Sequence, residues 1–360
     1  MASLFPDEIL ENILCRLPVK SLLRLRCVSK SWLSLISSPR FVKLHLNRSV
    51  QTKSNLSLYI TDARVLSRWN LYSLDHDHDH VRRPTEIVKH PLRCRKHIIQ
   101  NWGSCNGLIC LSNFDNTVCL WNPSTKKSIK LPYSSSKRYS SSNRYVVDRS
   151  YGFCYDITND DYRVVRISLF VGEIIDYEIK IYSLRSNSWH MSEKFHHFPN
   201  LYKEKAIACG ALHWTSGAEK EECWIVAFDL VTEKYRVISQ PEYSGPPCHI
   251  SLYNFEGCLS LSCYCYSNVV DVWLLNEYGE KNEYWSKLIS LSPTELWDHP
   301  CFSVKPVAYS KSGKKVLLKI DCSKLVWYNL EHESVEDIML QDLKPYSQIY
   351  SYSESLVSVS

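Results

Sequence analysis

The apolar positions of the first fifty residues recur with helical period. Ile9, Leu10, Ile13, Leu14 and Leu17 fall at i, i+1, i+4, i+5 and i+8, the spacing of an amphipathic helix. Pro6 suits the first helical position, where a missing N–H costs nothing. Asp7 and Glu8 follow it and favour the positive end of the helix dipole. Pro18 ends this helix. Ser21 is the expected N-cap of a second helix carrying Leu22, Leu23, Leu25 and Val28. A third helix is expected to hold Trp32, Leu33, Leu35 and Ile36 and to end near Pro39. Three short helices cannot hide this much apolar surface among themselves, so part of it is expected to meet another polypeptide.

From about residue 54 the period changes to that of strands. Short runs rich in Val, Ile, Tyr and Trp alternate with Asn, Ser, Asp and Gly turns. One unit recurs: an apolar strand with an aromatic or large aliphatic anchor, then Asn, Asp or Ser, then a polar turn. Its anchors are Tyr72, Trp121, Tyr182, Phe228, Leu275 and Tyr328, 46 to 61 residues apart. Three copies have an upstream glycine opening a strand, at Gly107, Gly210 and Gly257. A period near 50 built from short strands is that of propeller blades. The expected fold is therefore a small all-α three-helix module followed by an all-β domain, a six-bladed propeller-like ring. A twisted β-sandwich is the alternative. The boundaries expected are 1–48 for the helices, 49–56 for a linker and 57–360 for the β domain. Residues 351–360 are expected to supply a closing strand beside residues 56–60.

Charge is unevenly spread. The net charge is +5. Residues 1–48 contain eight Lys or Arg against three Asp or Glu, so they account for all of it. The neutral remainder argues against a general nucleic-acid binder, and the local excess suits an acidic partner. A DNA-reading alternative would use Arg16, Lys20, Arg24, Arg26 and Lys30, but recognition helices need polar exposed faces. The 15 cysteines and the absence of a charged, apolar leader favour reduced thiols in cytoplasm or nucleus. No run approaches the roughly 18 apolar residues of a membrane span.

Residues 4–46 resemble an F-box. The segments that carry the resemblance are 16–22 (RLPVKSL), 26–32 (RCVSKSW) and 38–41 (SPRF). Phe5-Pro6 stands where Leu-Pro is usual. The β region resembles the plant F-box-associated interaction domain through 103–109 (GSCNGLI), 121–125 (WNPST), 151–153 (YGF) with 160–166 (DDYRVVR), and 324–328 (KLVWY). S-locus F-box proteins look more distant. The resemblance implies a non-catalytic substrate receptor of an SCF ubiquitin ligase. Its helices would dock on a Skp-type adaptor and through it on cullin, and its β domain would capture a target protein for degradation. Plant immune regulation is the context implied. The adaptor-contact residues implied are Phe5, Pro6, Ile9, Leu10, Ile13, Leu14, Leu17, Pro18, Val28 and Trp32. No cofactor, metal, nucleic acid or membrane is expected, and target-binding residues are not assigned.

Other constellations read as structural. Residues 103–107 (GSCNG) mimic a nucleophile elbow, but such an elbow leads into a helix, whereas Leu108–Leu111 reads as a strand. The His76–His80 tract alternates His and Asp in a polar loop, which sends the side chains to opposite sides. Cys263 and Cys265 lack zinc-knuckle spacing. The Ser-rich stretch 134–142 reads as a connector. Trp214, Trp273, Trp285 and Trp327 read as core.

Overall fold

The computed structural model describes residues 7–52, 55–61, 69–75, 80–81, 86–88, 90–92, 99–113, 115–135, 145–171, 176–194, 205–216, 223–243, 247–265, 269–292, 303–321, 324–338 and 347–359. The chain forms two compact units, Met1–Leu131 with Ser347–Ser360, and Pro132–Tyr346.

Four helices open the first unit: α1 (Asp7–Leu14), α2 (Val19–Leu25), α3 (Lys30–Ser37) and α4 (Pro39–Gln51). The second does not start at Ser21. Its N-cap is Pro18, with no side-chain cap bond. The caps that do form are Ser29, whose hydroxyl accepts from Trp32 N at 3.1 Å, and Ser38, which accepts from Phe41 N at 3.2 Å. The Ser38-Pro39 pair therefore starts a fourth helix as well as ending the third. Pro39 sits in the first turn of α4, where it has no carbonyl to bond. The helix continues to Gln51, and the first strand begins at Leu56.

The strands of the first unit are β1 (Leu56–Thr61), β2 (Trp69–Asp75), β3 (His80–Val81), β4 (Glu86–Val88), β5 (Gln100–Cys105), β6 (Leu108–Ser112), β7 (Val118–Asn122) and β8 (Lys127–Lys130). The second unit holds β9 (Tyr145–Asp156), β10 (Asp161–Val171), β11 (Asp176–Ser183), β12 (Ser188–Ser192), β13 (Ala206–Ala208), β14 (Ala211–Ser216), β15 (Trp224–Asp229), β16 (Tyr235–Ile238), β17 (Pro247–Phe255), β18 (Cys258–Cys265), β19 (Val270–Asn276), β20 (Tyr284–Leu291), β21 (Val304–Tyr309), β22 (Lys315–Ile320), β23 (Lys324–Asn329) and β24 (Ser334–Asp337). The chain then returns to the first unit with β25 (Gln348–Ser353).

Among the described residues the strands make five four-stranded antiparallel blades, each from four consecutive strands: β5–β8, β9–β12, β13–β16, β17–β20 and β21–β24. Six like copies were expected, and the first does not follow the pattern. Tyr72 lies in a sheet ordered β25-β1-β2-β3, with β4 also on β2. Its β1 pairs with β2 on one side (Leu58↔Tyr72) and with β25 on the other (Leu58↔Ser351). A spacing near 50 counts anchors. It does not reveal that one sheet takes a strand from the opposite end of the sequence. A closing strand does pair with β1, in register from Leu56↔Ser353 to Thr61↔Gln348, but it is Gln348–Ser353, so only 351–353 of the expected 351–360 belong to it.

In the second unit the cores lie between successive blades. One core combines Val165, Ile179 and Ile181 with Trp214, Val226 and Phe228. The next combines Ala206, Ile225 and Ala227 with Leu252, Leu261 and Leu275. A third joins Val270 and Val272 to Val316, Leu318 and Val326. Blades β13–β16 and β17–β20 therefore each pack on a neighbour at both faces. A sandwich would share one core between two sheets, so that alternative is set aside. The repeat anchors Trp121, Tyr182, Phe228, Leu275 and Tyr328 are all buried on the third strand of their blades.

The polar half of the repeat is a loop device. Asn122 Oδ1 accepts from the amides of Ser124 (2.9 Å) and Thr125 (3.3 Å). Asp229 does the same for Val231 and Thr232 and Asn329 for Glu331 and His332, while Asp156, between β9 and β10 and outside the repeat, builds the same turn with Thr158 and Asn159. Each loop then turns through a left-handed residue: Lys126, Asp160, Glu233 and Glu333. These are Asx turns, in which a side-chain acceptor replaces a backbone carbonyl.

The repeated glycines have a second reason. Asn106-Gly107, Cys209-Gly210 and Glu256-Gly257 are each two-residue hairpin loops with both φ values positive, the type I′ requirement. A side chain at Gly210 would meet no atom within 4 Å. At Gly107 a Cβ would lie 2.2 Å from Ser355 Oγ and 2.7 Å from Ser353 O. Gly210→Ala is expected to cost about 1 kcal/mol, the left-handed penalty alone. Gly107→Ala adds steric overlap and is expected to cost about 3 kcal/mol in total. Urea denaturation of the two variants checks the ranking, and equal losses would contradict it.

Candidate functional site

The helices of the first unit divide their apolar residues between an interior and a surface. Leu14, Cys15, Val19, Leu22, Ile36 and Phe41 form the interior, together with Leu356 from beyond β25. Leu10, Leu17, Leu23, Leu25, Trp32, Leu35 and Val42 pack around it, partly covered. Left in solvent are Ile9 (48 % exposed), Ile13 (53 %), Val28 (61 %) and Leu33 (47 %), with Leu44 and Val50 exposed on α4. Ile9 and Ile13 are four apart on α1 and so share a face, while Val28 lies in the turn between α2 and α3.

The residues singled out from the sequence therefore separate. Ile9, Ile13, Pro18 and Val28 are exposed. Leu10, Leu17 and Trp32 are half-buried. Leu14 is 1 % exposed and belongs to the interior. It is withdrawn as a contact residue, because the same stripe that turns outward at Ile13 turns inward one residue later. Phe5 and Pro6 lie outside the described residues. Leu33 is absent from the expected contact residues, and the whole of α4 is absent from the expected helices because Pro39 reads as a stop. A Ser-Pro pair is equally an N-cap and first-turn signal.

Two polar groups are committed to holding the module together. The Arg26 guanidinium is half-buried and donates to Ile36 O at 3.5 Å, and burial lowers its pKa. Arg26 is thus occupied inside the helices, whereas Arg16, Lys20, Arg24 and Lys30 are exposed. His45 is almost fully buried on α4. Its Nε2 donates to Leu17 O at 2.9 Å, and the ring stacks on Phe41 with centroids 6.3 Å apart. Burial lowers the His45 pKa, and the Leu17 bond opposes this only in part. The bond ties α4 to the turn after α1, so this residue reports on the closed helical module.

Elsewhere the chemistry-like motifs resolve into structure. Asn106-Gly107 is a hairpin turn leading into a strand. Cys263 and Cys265 are buried free thiols 3.6 Å apart. Trp214 and Trp327 are buried. Trp273 and Trp285 are half-buried, with Trp285 Nε1 donating to Ser239 O at 2.7 Å. The His76–Asp79 and Ser136–Ser142 stretches lie outside the described residues. Ser134 and Ser135, just before the latter, are held on blade β9–β12. Arg166 donates to Ser134 O at 2.6 Å, and Lys180 reaches Ser134 Oγ and Ser135 O. Among the described residues no helix is long and apolar enough to cross a membrane.

Short helices with an unsealed apolar side, joined to stacked four-stranded blades, define a docking module coupled to a blade-built interaction domain. Residues 3–44 match the family described as the F-box domain, and residues 56–359 match the F-box associated beta propeller domain. The chain belongs to the F-box proteins that carry this β domain. It is 33 % identical to F-box protein CPR1 of Arabidopsis thaliana, covering 98 % of this chain and 87 % of that protein. An F-box/kelch-repeat protein of the same plant is 34 % identical, with 79 % of each chain covered. Membership puts the chain with the substrate receptors of SCF-type ubiquitin ligases, and its F-box implies a Skp-type adaptor as partner.

The burial of His45 gives the docking module a pH dependence of defined sign. Its folded pKa lies below the ordinary 6.5. As pH falls through 6.5 the unfolded chain takes up the proton and the folded helices resist it, so stability present above that pH is lost below it. Amide exchange in α4 is expected to be slower at pH 7.5 than at pH 5.5 after correction for intrinsic rates, and His45→Gln should flatten the difference. A local readout is needed. His213 in blade β13–β16, whose pKa burial pushes down to about 4, gives the second unit the same sign.

Proposed function

We propose that this chain is the target-capturing subunit of an SCF ubiquitin ligase, that its helices dock on the Skp-type adaptor through Ile9, Ile13, Pro18, Val28 and the partly covered Leu10, Leu17 and Trp32, and that its β domain holds a protein destined for ubiquitination and degradation in plant immune regulation. The observation that carries this is the exposure of Ile9, Ile13 and Val28 beside an interior already complete without them. Large apolar side chains on a closed core gain by being covered, at roughly 25 cal/mol per Å² of surface removed from water.

The chain performs no bond chemistry in this reading. It acts by proximity. Holding a target's lysines near the charged enzyme of the ligase makes an encounter between separate molecules effectively intramolecular. The exposed Arg16, Lys20, Arg24 and Lys30 suit an acidic adaptor and speed encounter at low salt. The immune context rests on resemblance to the relatives named above, and the cytoplasm or nucleus is the compartment such a ligase would occupy.

Ile13→Asp and Val28→Asp should each weaken adaptor binding about thirtyfold or more, the range of an interface hot spot, with thermal stability nearly unchanged. Leu14→Ala should do the reverse, costing about 2–5 kcal/mol of stability through the cavity it leaves. Calorimetric titration with a purified Skp-type adaptor, alongside thermal melts, reads both. Full-strength binding by Ile13→Asp and Val28→Asp would sink the interface. For the target, affinity capture with the whole chain and a blocked proteasome should return a regulator of plant immunity whose level falls when the ligase is active.

A further inference from the structure

We infer that the segment following β25, residues 354–359, is an integral part of the adaptor-docking module, a latch that completes the helical core and holds it against blade β5–β8. The inference deepens the function proposed above and rests on it for its adaptor arm alone.

The segment is fixed at every step. Glu354 N donates to Asn55 O at 2.8 Å, and the Glu354 carboxylate accepts from Ser57 Oγ at 3.3 Å. Ser355 is 1 % exposed. Its hydroxyl donates to Asn106 O at 2.7 Å and accepts from Val357 N at 3.3 Å. Leu356 leaves the β side and enters the helical interior with Leu14, Val19, Leu22, Ile36 and Phe41. Val357 and Val359 are buried as well, and Ser358 Oγ accepts from Lys127 Nζ at 3.3 Å. A segment with no ladder of its own satisfies its polar groups on neighbours, as a buried chain must.

Asn122 is the keystone on the blade side. Its Nδ2 donates to Ser355 O at 3.1 Å, to Ser355 Oγ at 3.3 Å and to Val357 O at 2.8 Å. The same amide's Oδ1 closes the β7–β8 loop. One side chain thus builds the turn with its oxygen and grips the segment with its nitrogen. Gly107 is where that grip leaves no room, since the segment passes within a Cβ's reach of it. Leu356 is bonded in sequence to two residues held this way, so its position in the helical core is set from the blade.

The consequence is that adaptor competence is set from outside the F-box sequence. A module that is closed only part of the time binds with its affinity reduced by the closed fraction. Leu356→Asp in the full-length chain places a charge in the helical interior. It should speed amide exchange in α1–α4 and weaken adaptor affinity about tenfold, as a tenth of the molecules remaining closed would. Leu356→Met should restore both. Asn122→Asp is the discriminating variant. It keeps the Oδ1 acceptor of the turn, replaces the Nδ2 donor by an oxygen facing two carbonyls, and changes no residue of the helical core. It should reproduce the helix-exchange effect and weaken adaptor binding about threefold, again in proportion to the closed fraction. Unchanged exchange in α1–α4 for both Asp variants would overturn the latch, as would faster exchange with undiminished adaptor affinity. Failure of the parent chain to bind the adaptor would instead sink the proposed function, while the exchange measurement would still read the latch by itself.

Discussion

The pairing of β1 with β25 is the constraint on which the first unit depends. It joins groups as far apart in sequence as Ser57 and Glu354, a separation of 297 residues. Closing so long a loop costs conformational entropy, although only logarithmically, at about 0.6 kcal/mol per doubling. The six-residue register offsets this, and so do Tyr350 and Tyr352, which pack on Tyr59 with centroids 5.2 and 5.8 Å away. Without the ladder, residues 354–359 would not be beside Asn122, and Leu356 would not reach the helices. Non-local pairing of this kind must meet its entropy cost before it gains contacts.

Local features of this architecture were legible in the sequence, and of the distant ones only the return of a late strand to β1 was. The anchors Trp121, Tyr182 and Phe228 announced buried strands because burial demands large apolar side chains at fixed intervals, and the structure makes each the third of its blade. Gly107, Gly210 and Gly257 marked the openings of strands, and the structure adds that each closes a hairpin whose positive φ nearly demands glycine. The start of α4 was misread because a proline after serine signals both an end and a beginning. Five blades stand where six were expected, since strand exchange between chain ends leaves no mark on spacing. In the candidate site, exposure separated Ile13 from Leu14, and neighbours on a helix stripe look alike until the packing partner is known. Leu356 carried no signal at all. An isolated leucine near residue 360 gives no hint that it belongs to helices more than 300 residues earlier.

The division of labour between interior and surface explains how a small helical module can stay folded and still present apolar groups. Leu14, Val19, Leu22, Ile36 and Phe41 are sealed by one another and by Leu356, so Ile9, Ile13 and Val28 are not needed to hold the helices together. His45 and Arg26 add bonds inside the same core. Removing the helices would have an effect on the other side too, because Leu356 would lose its burial. A receptor that works by holding two proteins near each other gains from this shared core, since slack in the module would dilute the local concentration that it creates.

The Asx loops divide their residues unequally. In 122–126, 156–160, 229–233 and 329–333 the first side chain and the left-handed last residue carry the geometry. Of the three residues between, the second and third contribute backbone amides, which every amino acid except proline supplies. Where the side chains of the three are exposed, as at Ile157 (84 % exposed), they are open to mutation at little structural cost, whereas Leu230 is buried in the core between blades and is not. A protein built on such loops can exchange surface chemistry blade by blade while its core stays fixed, which gives a family of receptors a ready route to diversify.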